Sequence, residues 1–171
     1  RSYHRVDVHI SPSWFLKRKF REYGVHDRIE VLNNPFLGDK SAPSPEESDY
    51  FLYFGRLSAE KGLKTLLHAW AKAGLKDLRL FIAGDGPART ELERLARKLQ
   101  LSGTVSFLGN LPKASMQAVL AKARAVLLPS ECYENFSMSI VEAQTMGKTV
   151  IASDLGGNSE MIEKGNTGYL F

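Results

Sequence analysis

The sequence predicts an α/β domain built on a doubly wound parallel six-stranded sheet, and two observations carry the prediction. Runs such as "YFLYF", "LRLFIA" and "AVLLP" are apolar almost without interruption, which suits strands covered on both faces and not strands with one wet face. Strand and helix signals also take turns along most of the chain, and right-handed crossovers between parallel strands set helices on each side of a sheet.

Taken in order, "VDVHIS" reads as a strand and residues 13–23 as a helix capped by Ser11 or Ser13, with Leu16, Phe20 and Tyr23 on one face. "RIEVLNNP" is a strand stopped by Asn-Asn-Pro. Residues 37–49, "LGDKSAPSPEESD", hold two prolines, three serines and several acidic residues, the composition of a linker between units at 1–36 and 50–171. Strands are then predicted at 50–54, 78–83, 104–108, 124–128, 149–152 and 167–170. Helices fall between them at 59–73, 87–100, 113–122, 136–146 and 158–164.

Composition removes several function classes. At 171 residues, 43% hydrophobic and 25% charged, the chain has ordinary globular content and is long enough for a sizeable core. A single cysteine, Cys132, cannot form an internal disulfide, and the four histidines lack the spacing that closes a zinc site with it. No metal site is expected, and an intracellular location is the default. No apolar run approaches the roughly 20 residues that span a bilayer, and the start lacks the order of a signal peptide. It also lacks Met, so the chain reads as a fragment. The net charge of +4 is concentrated early: residues 1–28 carry seven Lys/Arg against three Asp/Glu, clustered in "WFLKRKFREYG". That helix either covers a sheet or lies in a lipid interface. No aromatic-basic platform follows it, so nucleic acid is not an expected partner.

In an open parallel sheet, ligands bind beyond the carboxyl ends of the strands, so the loops there are the place to look. In "GRLSAEKG", Ser58 as an N-cap puts Lys61 in the first turn of a helix, where the dipole disfavours a cation, and Gly62 inside it, at a cost of about 1 kcal/mol. An anion held by Arg56, Lys61 and helix N–H groups reconciles both choices. In "AGDGPART", Arg89 stands where a dinucleotide fingerprint needs its third glycine, and no acidic residue ends the following strand, which argues against a nicotinamide site. The segment reads as a tight turn into Pro87 at the first helical position.

"SECYENFSMSIVEAQTMG" sets Glu134 and Glu142, with seven residues between them, in a segment otherwise suited to burial. With Asn135 capping a helix from Phe136, the residues Phe136, Ile140, Ala143 and Gly147 face the sheet, and Asn135, Ser139 and Glu142 form a second stripe. The two carboxylates are then about 10 Å apart, at roughly 1.5 Å per residue, a span that fits two hydroxyl-bearing rings joined by an anionic bridge. In "SDLGGNSE", Gly156 and Gly157 permit close backbone approach and Asn158 or Ser159 can cap the next helix.

Taken together in this order, "GRLSAEKGLKTLLHA", "LFIAGDGP", "VSFLGNLPK" and "LLPSECYENFSMSIVEAQTMGKTVIASDLGGNSEMIEKGNTGYLF" resemble the carboxyl-terminal domain of glycosyltransferase family 4, retaining transferases of the GT-B fold. The likeness covers residues 50–171. Residues 1–36 resemble, more loosely, the end of the family's amino-terminal domain, and the terminal crossing helix is lacking. The resemblance implies that Arg56 and Lys61 neutralise a diphosphate leaving group without a metal, in keeping with the absence of an Asp-x-Asp motif. Glu134 then contacts the transferred sugar, Glu142 the ribose, and backbone amides of Asn135, Phe136 and Ser137 hold sugar and phosphate oxygens, with Gly55 beside them. The implied donor is a UDP- or GDP-linked hexose and there is no separate cofactor. The acceptor is a glycan or lipid, bound through the absent amino-terminal domain. The isolated piece is expected to be inactive, and the location to be the cytoplasm, its membrane face included. A non-catalytic nucleotide- or carbohydrate-binding module and a GT-B epimerase are the alternatives.

Overall fold

A computed structural model of the chain describes residues 6–25, 28–36 and 48–171; most of the predicted linker, residues 37–47, lies outside the described residues. The first described part holds strand β1 (His9–Ser11), helix α1 (Trp14–Glu22) and strand β2 (Ile29–Val31), with β1 and β2 paired in parallel. Ser13 caps α1, its hydroxyl accepting from the Leu16 N–H at 3.2 Å, so of the two cap candidates the nearer one serves. The strand predicted from "VDVHIS" keeps only its last three residues.

From Tyr50 onward the chain forms β3 (Tyr50–Phe54), α2 (Leu63–Ala73), β4 (Arg79–Ala83), α3 (Arg89–Lys98), β5 (Val105–Gly109), α4 (Lys113–Lys122), β6 (Ala125–Leu128), α5 (Met138–Thr145), β7 (Thr149–Ala152) and β8 (Gly168–Leu170). All six strands are parallel, in the order β5-β4-β3-β6-β7-β8. The apolar runs named above become the middle of this sheet: Leu52, Leu80, Ile82 and Val126 are fully buried, as is Val150 of β7. On α2, Leu63, Leu66, Leu67 and Trp70 recur at helical spacing and are all buried, which seats that helix on the sheet.

The order of strands reverses between β3 and β6. The chain runs outward from β3 through β4 to β5, then returns to pair β6 with β3 on the other side. Loops leaving β3 and β6 therefore diverge at their carboxyl ends and open a crevice, the position at which such sheets take ligands.

Four predicted helices are shorter or differently built. Residues 59–73 are not one helix: Ala59–Lys61 form a 3₁₀ turn, and Gly62 joins it to α2. The helix predicted from Phe136 begins at Met138. The helix predicted at 158–164 is a single 3₁₀ turn, Asn158–Glu160. There the side chains bond locally in place of extending a helix: Asn158 Nδ2 donates to the Ser153 carbonyl at 3.2 Å, and the Ser159 hydroxyl to the Asp154 carboxylate. Likewise α3 starts at Arg89, so Pro87 precedes it.

Candidate functional site

The site begins with how two loops are locked together. Gly62 has φ +68°, and a Cβ there would lie 1.8 Å from the Pro129 carbonyl oxygen, so only glycine permits this contact. The Glu131 N–H donates to the Glu60 carbonyl at 2.8 Å and completes the join. Gly62 is thus a joint that brings the β3 loop against the β6 loop, not a penalty inside a helix. Ser58 does not cap a helix either; its hydroxyl donates to Glu60 at 2.6 Å. Lys61 ends the 3₁₀ turn, and its ammonium reaches across the crevice to the Glu134 carboxylate at 2.6 Å.

Glu134 is held from three sides. Its Oε1 accepts from Lys61 and, at 2.7 Å, from the Ser130 hydroxyl. Its backbone pairs with Gly156, and its carbonyl accepts from the Gly157 N–H at 2.6 Å. Gly156 has φ +70°, and a Cβ there would lie 2.4 Å from the Glu134 carbonyl oxygen. The close approach read from "LGGN" therefore serves the neighbouring loop. With side-chain exposures of 27% and 18%, Lys61 and Glu134 are shielded enough for the pair to escape most solvent screening.

Beyond Glu134 the chain passes Asn135, Phe136 and Ser137 before α5. Ser137, not Asn135, occupies the N-cap position, and it makes no side-chain cap bond. Among the described residues, the N–H groups of these three residues have no hydrogen-bond acceptor. Free amides ahead of a helix N-terminus are a ready anion site.

Two adjoining cavities receive these groups. One, of about 350 Å³, is lined by Gly55, Arg56, Lys61, Glu134, Phe136 and Ser137, among others. The second, of about 360 Å³, shares Phe54, Gly55 and Arg56 with it and extends past Gly84 and Asp85 to Asn110 and Met116. The Arg56 side chain is exposed and has no carboxylate partner among the described residues. Tyr53 steadies this residue, its hydroxyl donating to the Arg56 carbonyl at 2.9 Å. Burial, with the charges of Glu134 and Glu60 added, holds the Tyr53 phenol far above its usual range, so it remains a donor.

Six of the eight predicted residues thus share one cavity, and two do not line it. Asn135 is exposed, with its carbonyl against Gly157. Glu142 lies one helical turn past Met138 on α5, partly buried and without a hydrogen-bonding or ionic partner among the described residues. Desolvation raises its carboxyl above the ordinary value, the mark of a charge lacking its complement. The Cys132 thiol is also raised, chiefly by burial and then by Glu134, which keeps it protonated and argues against a thiolate nucleophile. Arg89, which breaks the glycine fingerprint, pairs with Asp85 and Glu93, each at 2.9 Å. Among the described residues no group of three His, Cys, Asp or Glu side chains is arranged to hold a metal, and no helix is long and apolar enough to cross a membrane.

Sequence reasoning missed Ser130, Tyr53 and Glu160. Glu160 accepts from the Trp14 N–H at 2.7 Å and from the Phe15 N–H, and so caps α1 from the far end of the chain. Phe15 also meets Tyr133, ring centres 5.2 Å apart. No local pattern signals a contact across some 145 residues; Ser130 carried a weak sign in closing an apolar strand just before Glu134.

The sequence profile of the family described as glycosyl transferases group 1 matches residues 38–171. Alpha-D-kanosaminyltransferase of Streptomyces kanamyceticus is 36% identical over 121 residues, 70% of this chain and 31% of that protein. Lipopolysaccharide 1,6-galactosyltransferase of Escherichia coli K12 is 29% identical over 175 residues, 97% of this chain and 48% of that protein. The chain therefore spans about a third to a half of the length of these curated relatives. Among solved structures, the apo lipopolysaccharide outer core galactosyltransferase WaaB superposes with a TM-score of 0.79 at 29% identity, covering 97% of this chain and 48% of that one. HepE of Anabaena, in complex with UDP-glucose, superposes with a TM-score of 0.84 at 27% identity, covering 97% and 50%. The parallel six-stranded sheet is that of the GT-B fold.

Proposed function

The chain belongs to the glycosyl transferases group 1 family, and we propose that it carries the donor-binding half of a retaining, metal-independent family 4 hexosyltransferase using a UDP- or GDP-linked sugar. The observation that carries this reading is the convergence of Lys61, Arg56 and unpaired loop amides with Glu134 in one cavity at the switch point of a parallel sheet. HepE, of like fold, holds UDP-glucose.

In this reading the diphosphate lies between Arg56, Lys61 and the amides of residues 135–137. As the bond from the anomeric carbon to the diphosphate breaks, negative charge grows on the leaving phosphate, and preorganised cations and dipoles stabilise it without reorganising. The two cations supply the positive charge that a divalent ion brings elsewhere. The acceptor attacks from the face the diphosphate leaves, so configuration is retained. Glu134, held by Ser130, orients the sugar hydroxyls and is not a nucleophile. Glu142 takes the ribose hydroxyls, which answers its desolvated, unpartnered state. Residues 1–36 form the end of an acceptor-binding unit, with a glycan or lipid as acceptor, and the basic α1 with its exposed Trp14 suits work at the cytoplasmic membrane face. The 171-residue piece binds donor but transfers nothing alone.

The rival reading is a non-catalytic nucleotide- or carbohydrate-binding module, and a GT-B epimerase is a third. A thermal-shift panel of UDP, GDP and ADP with their sugars tests donor binding, since a selective ligand raises the melting temperature by mass action. No shift from any of them refutes the proposal. Labelled donor given to the longer protein then separates the classes: glycoside product supports a transferase, a converted nucleotide sugar an epimerase, and neither a binding module.

A further inference from the structure

We propose that Ser130 is the positioning residue that keeps Glu134 aimed at the sugar once the donor draws Lys61 away; the inference rests on the donor reading above. In the free protein, Lys61 and Ser130 converge on the same oxygen, Glu134 Oε1, at 2.6 and 2.7 Å. The second oxygen accepts from neither, which leaves it for a ligand. A diphosphate carries more negative charge than one carboxylate, so its arrival competes for Lys61 and lengthens or breaks the bond to Glu134. Among the described residues, Ser130 is then the remaining hydrogen-bond donor that fixes the Glu134 rotamer.

Ser130 is built for that task. It is 5% exposed, sits two residues past the end of β6, and lines the same cavity. Its backbone cannot drift, because Pro129 on one side abuts Gly62 and Glu131 on the other bonds to Glu60. A hydroxyl is also the right chemistry: it donates to the carboxylate but carries no charge for the diphosphate to attract.

The inference predicts a split between nucleotide and nucleotide sugar. Titration calorimetry compares wild type, Ser130→Ala, Glu134→Ala and the double variant, using UDP and UDP-glucose, or GDP and GDP-mannose if the wild type selects guanine. Ser130→Ala leaves the affinity for the bare diphosphate within about twofold and weakens the sugar conjugate by about tenfold or more, the lower end of what one hydrogen bond to a charged group is worth. In the Glu134→Ala background the same change costs nothing further. Equal losses for both ligands, or an undiminished loss without Glu134, would overturn the inference by making Ser130 merely structural. If the wild type binds none of these ligands, the donor reading fails by itself. Ligand-free melting temperatures of the same four proteins then decide the Ser130–Glu134 link: non-additive losses support it, additive losses overturn it.

Discussion

Replacing Lys61 by Ala has a consequence that depends on what Glu134 does next. In the free protein the ammonium sits 2.6 Å from Glu134 Oε1, with both side chains largely shielded. A charge-assisted contact of this kind contributes about 1.5–3 kcal/mol. When the diphosphate binds, wild-type Lys61 trades one anionic partner for a stronger one, so the net gain is smaller than a fresh ion pair. Without Lys61 the gain disappears, and a Glu134 carboxylate with no cation beside it faces the incoming phosphates. Together these give a loss of about 2 kcal/mol, or roughly 30-fold in Kd. Calorimetry with the bare nucleoside diphosphate at low ionic strength measures it, and salt should erode the wild-type affinity more than that of the variant. The sharper expectation concerns Glu134→Ala, which frees Lys61 and therefore leaves the diphosphate bound as tightly as before or more tightly. If Glu134→Ala weakens the diphosphate as much as Lys61→Ala does, the assignment of phosphate to Lys61 and sugar to Glu134 is refuted.

Other expectations follow from single contacts. Gly62→Ala forces a methyl into the Pro129 carbonyl at a left-handed residue and should destabilise the fold by about 3 kcal/mol or more, read as a large fall in melting temperature; an unchanged value contradicts the loop-joint account. Glu142→Gln removes a carboxylate whose folded pKa lies above its unfolded one, so the charged form is the destabilising one. The variant should melt higher than wild type at neutral pH and bind nucleotide less well. That stability advantage should vanish as pH falls below the ordinary carboxylate value of 4.5, where Glu142 is protonated in both states. A variant that is less stable at neutral pH would show that Glu142 has a structural partner. Glu160→Ala removes the long-range cap on α1, leaving that of Ser13, and should cost about 0.5–2 kcal/mol. Hydrogen exchange should localise the loss to the Trp14 and Phe15 amides, and exchange spread evenly through the sheet would argue against a cap.

The sheet was legible because strands covered on both faces leave a nearly unbroken apolar signature, as "LRLFIA" and "YFLYF" do. All six strands of the second unit lie within a residue or two of their predicted ends. The pairing of Lys61 with Glu134 was not legible, since 73 residues separate them and only the return of β6 beside β3 brings their loops together. Gly62 was visible as an anomaly and Gly156 as a point of close backbone approach, but their partners were not: each glycine yields to a neighbouring loop's backbone, at Pro129 and Glu134 respectively. Helix starts were the weakest part. Asn135 and Ser137 are comparable intrinsic caps, and the pairing of Glu134 with Gly156 and Gly157 keeps the residues before Met138 out of the helix, so α5 starts there. At 158–160, local bonds of Asn158 and Ser159 replaced a predicted helix, a competition that single-sequence periodicity does not register.

The most direct measurement is a crystal structure of this chain with a saturating nucleotide sugar, UDP-glucose or GDP-mannose as affinity dictates. The account predicts the diphosphate between Arg56, Lys61 and the amides of residues 135–137, the hexose on Glu134 with Ser130 still bonded behind it, and the ribose against Glu142. A diphosphate bound away from Lys61, or a hexose turned from Glu134, contradicts it.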